Sequence, residues 1–215
     1  MRRLWIAFDF DGVIVDSMPV QAEAWVKAAA ECSQDPGPLV DNLYRGHAGA
    51  RMFEGLGLSD TRIECLRRTK DRLWHQKRSS VPLFPGAGAA IEGIAGFSRL
   101  GIASTASSEY IMSILSREGL TAYFDPIVTD ADAPAPKPDR SLLEMVAAQF
   151  GCSVNELWMV GDTEADLRLS QNAGSRFLLF APDGKQRSGI ENGAVPSVGT
   201  WDEVADFFGN LVGHE

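Results

Sequence analysis

The stretch "WIAFDFDGVIVD", residues 5–16, decides how the rest of the chain is read. It opens as an apolar run of strand type and then places Asp9 and Asp11 two positions apart, just ahead of Gly12. In extended backbone, residues i and i+2 share a face, so the two carboxylates repel unless a cation or a reaction needs both. A turn accounts for aspartate and glycine taken singly. The pair asks for a metal, a nucleophile, or both.

Further along, short apolar runs recur at "LGIAS" (100–104), "PIVT" (126–129), "LWMVG" (157–161) and "RFLLF" (176–180), joining "LWIAF" (4–8). From Leu100 onward they alternate with helical patterns such as "SEYIMSILSREGL" (108–120) and "RSLLEMVAAQFG" (140–151), which carry apolar residues at three- and four-residue steps. Gly119 and Gly151 stand where these helices should stop. The alternation predicts an α/β fold: a doubly wound parallel sheet covered by helices on both faces.

Between the first two runs the chain carries helix signals only. "SMPVQAEAWVKAAAEC" (17–32) has Ser17 near an N-cap and Pro19 in the first turn, and "DTRIECLRRTKDRLWHQKR" (60–78) predicts a second helix with a solvated basic face. "VPLFPGAG" (81–88) supplies the proline and glycine of a re-entry into the core. Residues 16–82 are therefore expected to form a helical insertion in a core made of 1–15 and 83–215.

The 215 residues suit one core with an inserted lobe, and no apolar stretch reaches the roughly 20 residues of a membrane span. A net charge of −9 lacks the basic stripe of a nucleic-acid surface, although a bound cation can still reverse the field inside a pocket. The N-terminus does not read as a signal peptide, which predicts a cytoplasmic protein. Cys32, Cys65 and Cys152 are odd in number and widely spaced, and are expected as free, buried hydrophobes.

Ligands of a doubly wound sheet gather at the carboxyl ends of its strands. Here the first run ends in Asp9 and Asp11, the second in Ser104 and the fourth in Asp162. "FDFDGVIVDS" resembles the opening motif of the haloacid dehalogenase-like hydrolase superfamily, and "GIASTASS" with Ser104, "PAPKPD" with Lys137 and "MVGDTEAD" with Asp162 and Asp166 resemble its later motifs in order. The resemblance covers nearly the whole chain. It implies a Rossmann-like core, an α-helical cap in the insertion, and a branch of phosphoglycolate phosphatases and β-phosphoglucomutase-like enzymes.

By that resemblance, Asp9 attacks phosphorus in line to form an aspartyl-phosphate, and Asp11 protonates the leaving oxygen and then activates water. Mg2+, which favours oxygen ligands in near-octahedral array, suits Asp9, Asp162 and the main-chain carbonyl of Asp11, with Asp166 acting through water or a second layer. Ser104, with Thr105 beside it, holds a phosphoryl oxygen, and Lys137 neutralises charge on phosphate and nucleophile. The implied partner is a small phosphorylated metabolite, with no nucleic acid and no membrane.

Substrate choice in this family usually falls to the cap. "LYRGHAGARMF" (43–53) stands where related caps carry a recognition loop, so Arg45, His47 and Arg51 are the candidates, with Gly46 and Gly49 allowing close backbone approach. His75 lies in a basic helix, His214 in the tail, and "KQRS" (185–188) reads as a solvated loop. The chain departs from the mutases at Gln21, twelve residues after Asp9, where those enzymes carry histidine. Glutamine cannot relay a proton, which argues against mutase chemistry. A dehalogenase usually lacks the second aspartate, and a phosphonate-cleaving enzyme needs a cap lysine, for which Lys27 and Lys70 have no recognisable context. A phosphoacceptor receiver module is much shorter than this chain and has no inserted lobe.

Overall fold

The structure, a computed structural model, describes residues 3–45, 47, 49–182, 190 and 193–213. The chain divides into two compact units, one of residues 1–15 and 83–215 and the other of 16–82. The segment 185–188, Gly46 and His214 lie outside the described residues.

In the larger unit β1 (Leu4–Phe8), β2 (Ser98–Ser104), β3 (Phe124–Thr129), β4 (Leu157–Gly161), β5 (Arg176–Phe180) and β6 (Ser197–Val198) make one sheet in the order β3-β2-β1-β4-β5-β6. Every pairing is parallel. The helices are α4 (Ala87–Ala95), α5 (Ser108–Arg117), α6 (Ser141–Phe150), α7 (Glu164–Ala173) and α8 (Trp201–Gly213). A sheet of this kind is buried on both faces, so its strands read as continuous apolar runs, and Ile6, Ala7 and Phe8 are all fully buried. Ala7, Ala103, Val128 and Met159 pack with Leu143 and Val146 of α6 and Leu169 of α7. Phe8 instead stacks on Trp201 of α8 at 5.4 Å, and the Trp201 indole N–H donates to the Val13 carbonyl at 3.0 Å.

Strand order reverses beside β1, whose neighbours are β2 and β4. This is the switch point at which loops diverge and a crevice opens beyond the strand ends. Gly151 ends α6 in the left-handed conformation, as its position promised, and Gly119 adopts a positive φ just past α5. The helices α4 and α8 and the strand β6 gave no comparable sequence signal.

The smaller unit holds α1 (Met18–Glu31), α2 (Gly37–Tyr44) and α3 (Asp60–Lys77) around Met18, Trp25, Leu39, Leu43, Phe53 and Leu66. One expectation is corrected. Cys32 and Cys65 are not free thiols: α1 and α3 pack together, their Cα atoms come within 6.2 Å, and the sulfurs form a disulfide. The separation of 33 residues carried no hint of this, because helix pairing and not spacing brings the sulfurs together. The basic face of α3 is largely exposed to solvent, as expected, and some of its cations also reach across to α1. Arg72 and Lys77 pair with Glu31 and Glu23 of α1, while Lys70 stands over the Trp25 and Trp74 rings. Ser17 occupies the N-cap of α1, but its hydroxyl receives the Gln21 amide at 3.2 Å and caps no backbone N–H. No helix among the described residues is long and apolar enough to cross a membrane.

Candidate active site

The site lies in the larger unit, beyond the carboxyl ends of β1, β2 and β4. Asp9 follows β1 directly, and its main-chain N–H continues the ladder to the Val160 carbonyl at 2.8 Å. Its Oδ1 accepts the Phe10 N–H at 2.8 Å and stands 3.1 Å from Lys137 Nζ. Burial pushes the Asp9 carboxyl up to about 6, and nearby Asp166 adds to the rise, against the pull of the Lys137 ammonium and the Ser104 hydroxyl.

Asp162 and Asp166 arrive from the end of β4. Thr163 caps α7 in a reciprocal box with Asp166: its N–H and hydroxyl donate to Asp166 Oδ2 at 3.1 and 2.5 Å, and its hydroxyl oxygen accepts the Asp166 N–H. Asp166 Oδ1 is left for Lys137 Nζ at 2.7 Å. Burial alone would lower the Lys137 ammonium, but the carboxylates of Asp166 and Asp9 outweigh it and hold it well above its ordinary range. Lys137 is thus a fixed positive charge between two acids.

Two glycines make room for this arrangement. A Cβ at Gly12, where φ is +84°, would come 2.2 Å from Asp162 Oδ2, and one at Gly161 would come 2.4 Å from Asp166 Cβ. Carboxylate oxygens of Asp9, Asp162 and Asp166 all lie within 4.8 Å of one another, and all three residues are buried. A buried set of hard oxygen donors, one of them seated where only a glycine leaves space, fits a small divalent cation.

Of the remaining sequence candidates, Ser104 is buried and accepts the Ala106 N–H at 3.2 Å, while its neighbour Thr105 is exposed. Asp11 is partly exposed and accepts a hydrogen bond from Tyr110. Arg45, His47 and Arg51 belong to the smaller unit. Arg45 follows α2, the His47 N–H donates to the Asn42 carbonyl at 3.0 Å, and Arg51 lies in a 3-10 turn, Gly49–Phe53.

Sequence reasoning missed three supporting residues. Thr163 was detectable, since threonine three places before an acid at a helix start is a capping-box pattern. Asp130 accepts the Lys137 N–H at 3.4 Å, and Tyr110 reaches Asp11 from α5. Tyr110 leaves no sequence signature because it acts across the fold, and Asp130, seven residues before Lys137, matches no pattern of fixed spacing.

The chain resembles known proteins over most of its length. The model of the haloacid dehalogenase-like hydrolase family matches residues 6–180. A phosphoglycolate phosphatase of Vibrio parahaemolyticus is 26% identical, the match covering 96% of this chain and 93% of that protein. One of Cereibacter sphaeroides is 30% identical over 81% and 84%. The pyrophosphatase PpaX of Bacillus velezensis is 35% identical, but the match spans only 36% of each chain. Among solved structures, a haloacid dehalogenase-like family protein of Streptococcus pneumoniae superposes with a TM-score of 0.80 at 19% identity, covering 96% of this chain and 98% of that one. Since the family match runs from β1 through β5 and takes in every strand that carries an acid of the cluster, the chain belongs to the haloacid dehalogenase-like hydrolases.

Proposed function

We propose that this hydrolase is a Mg2+-dependent phosphatase of a small phosphate monoester, of the phosphoglycolate or sugar-phosphate class, working through an aspartyl-phosphate. The observation that carries the reading is the Lys137 ammonium held between Asp9 and Asp166 within a buried group of three acids. Asp9 is oriented by the Phe10 N–H and by Lys137, which fixes the plane of its carboxylate before attack. As the Asp9 oxygen bonds to phosphorus, the ester P–O bond breaks and Asp11 delivers a proton to the departing oxygen. Asp11, now a carboxylate, takes a proton from water as that water attacks phosphorus, and inorganic phosphate leaves Asp9. Lys137 and Ser104 offset the charge of the transferring phosphoryl oxygens.

Asp9, Asp162 and the main-chain carbonyl of Asp11 would hold Mg2+, with Asp166 one layer out. When bound, Mg2+ neutralises phosphate charge as a Lewis acid. Phosphoglycolate is the leading substrate because relatives of near-full coverage carry that name. Reaction on a free metabolite fits residence in the cytoplasm, while the Cys32–Cys65 disulfide speaks for a more oxidising setting. A phosphonate-cleaving reading loses support, since Lys27 is raised by its hydrogen bond to Glu23, the opposite of what a Schiff-base lysine requires.

The test is turnover of p-nitrophenyl phosphate and of a panel including phosphoglycolate, with Mg2+ and with chelator. Wild type is expected to need the cation, and Asp9→Asn and Asp11→Asn to lose steady-state turnover. Full activity in excess chelator, or turnover by Asp9→Asn after deamidation is excluded, would overturn the reading.

A further inference from the structure

Tyr110 is buried, with 2% of its surface exposed, yet its hydroxyl reaches the partly exposed Asp11 and lies 3.3 Å from Oδ1. Three local features fix it there. The Ser107 hydroxyl accepts the Tyr110 N–H and so caps the first turn of α5, the turn from which the ring projects. The ring meets the fully buried Phe10 edge to face at 5.5 Å. The loop bearing Asp11 is itself closed by Gly12 N–H to Val15 carbonyl and by Ile14 and Val15 N–H to Phe10 carbonyl. The aromatic pair therefore ties α5 to the loop after β1, one residue from Asp11.

We infer that Tyr110 is a positioning residue for proton transfer, holding one oxygen of Asp11 so that the other is presented to the leaving group and then to water. The inference rests on the phosphatase reading above. It adds a residue from α5 to a step that the sequence motifs assign to Asp11 alone. A carboxylate turns about two side-chain bonds, and a donor on one oxygen removes much of that freedom. Phosphorus attack by Asp9 does not depend on this orientation, whereas protonation of a poor leaving group does.

The test pairs an alkyl phosphate, whose leaving oxygen needs a proton, with p-nitrophenyl phosphate, whose leaving group hardly does. Tyr110→Phe keeps the ring and its contact with Phe10. Followed in a single turnover, it is expected to lower the rate of phosphoenzyme formation from the alkyl ester about fivefold, the effect of one ordinary hydrogen bond, while the rate of phosphoenzyme formation from p-nitrophenyl phosphate stays within about twofold. A merely structural role would lower both rates together or lower the melting temperature. In an Asp11→Asn background, followed by phosphoenzyme formation in a single turnover, the same change is expected to have no effect. Equal losses on the two esters, no loss on either, or an undiminished loss in the Asp11→Asn background would each overturn the inference. Wild-type turnover of p-nitrophenyl phosphate tests the parent reading separately. If that turnover is absent, the phosphatase reading falls and takes this inference with it; if it is present, only the role of Tyr110 is being judged.

Discussion

Lys137 Nζ lies 2.7 Å from Asp166 Oδ1, and the two side chains are 4% and 1% exposed. An ammonium this deeply buried is tolerable only with charged partners, and those partners are tolerable only with it. Lys137→Met leaves Asp9 and Asp166 facing each other without their cation. Breaking such a pair is expected to cost about 3 kcal/mol or more at neutral pH. Turnover of every ester should fall together, since the phosphoryl group is common to all. A companion Lys137→Met/Asp166→Leu variant should regain much of the stability and none of the activity. Denaturant melts of the two variants check this; a single variant as stable as wild type would show that Lys137 is not the counter-charge of the cluster.

The Asp9 carboxyl supplies a pH prediction for the cation. Its pKa, raised from 3.8 to about 6, means that the metal-free folded protein keeps a proton on Asp9 where the unfolded chain has lost it. The folded state binds more protons in that window, so this group's contribution makes stability fall as pH rises from about 4 to about 6. Mg2+ prefers the ionised carboxylate and competes with that proton. The rise in melting temperature on adding Mg2+ is therefore expected to be full at pH 7.5 and to fade as pH drops through 6. An equal rise at pH 5 would remove Asp9 from the cation site.

The strands were legible because parallel strands buried on both faces are runs of apolar residues, and "LWMVG" and "RFLLF" match β4 and β5 residue for residue. The acids were legible because they follow those runs directly. What the sequence hid is whatever depends on distant partners. Glu23 and Glu31 of α1 take up the cations of α3, and Tyr110 meets Asp11 from 99 positions away. The helix α2 went unread because Gly37 and Pro38 at its start resemble a loop, although Leu39 and Leu43 are buried one turn apart.

The Cys32–Cys65 link gives a simple chemical expectation. Thiol titration of the denatured, unreduced chain should find one free group, Cys152. Cys65→Ser should lower stability by about 3 to 4 kcal/mol, the chain-entropy value for a loop of this size. Three titratable thiols without prior reduction would show that the sulfurs stay reduced, as the cytoplasmic reading by itself would have it.

The last prediction concerns the inserted unit, where resemblance assigns substrate recognition to Arg45, His47 and Arg51. Their segment is anchored from within. Buried Asn42 takes the His47 N–H on its carbonyl and gives its side-chain amide to the Met52 carbonyl at 3.1 Å, while Met52 and Phe53 are buried beside the exposed Arg51. An arginine held on such a loop can offer a charge-assisted hydrogen bond to an acidic group of a substrate. Arg45→Ala or Arg51→Ala is then expected to lower kcat/KM for an acid-bearing ester such as phosphoglycolate about 10- to 100-fold, the range of a hydrogen bond to a charged group. Turnover of p-nitrophenyl phosphate, which offers no carboxylate, should hardly change. Equal losses on both esters would instead indicate damage to the unit's packing, which a melt would register. Unchanged kinetics on both would make residues 43–53 an ordinary surface loop and send the search for specificity to other parts of 16–82.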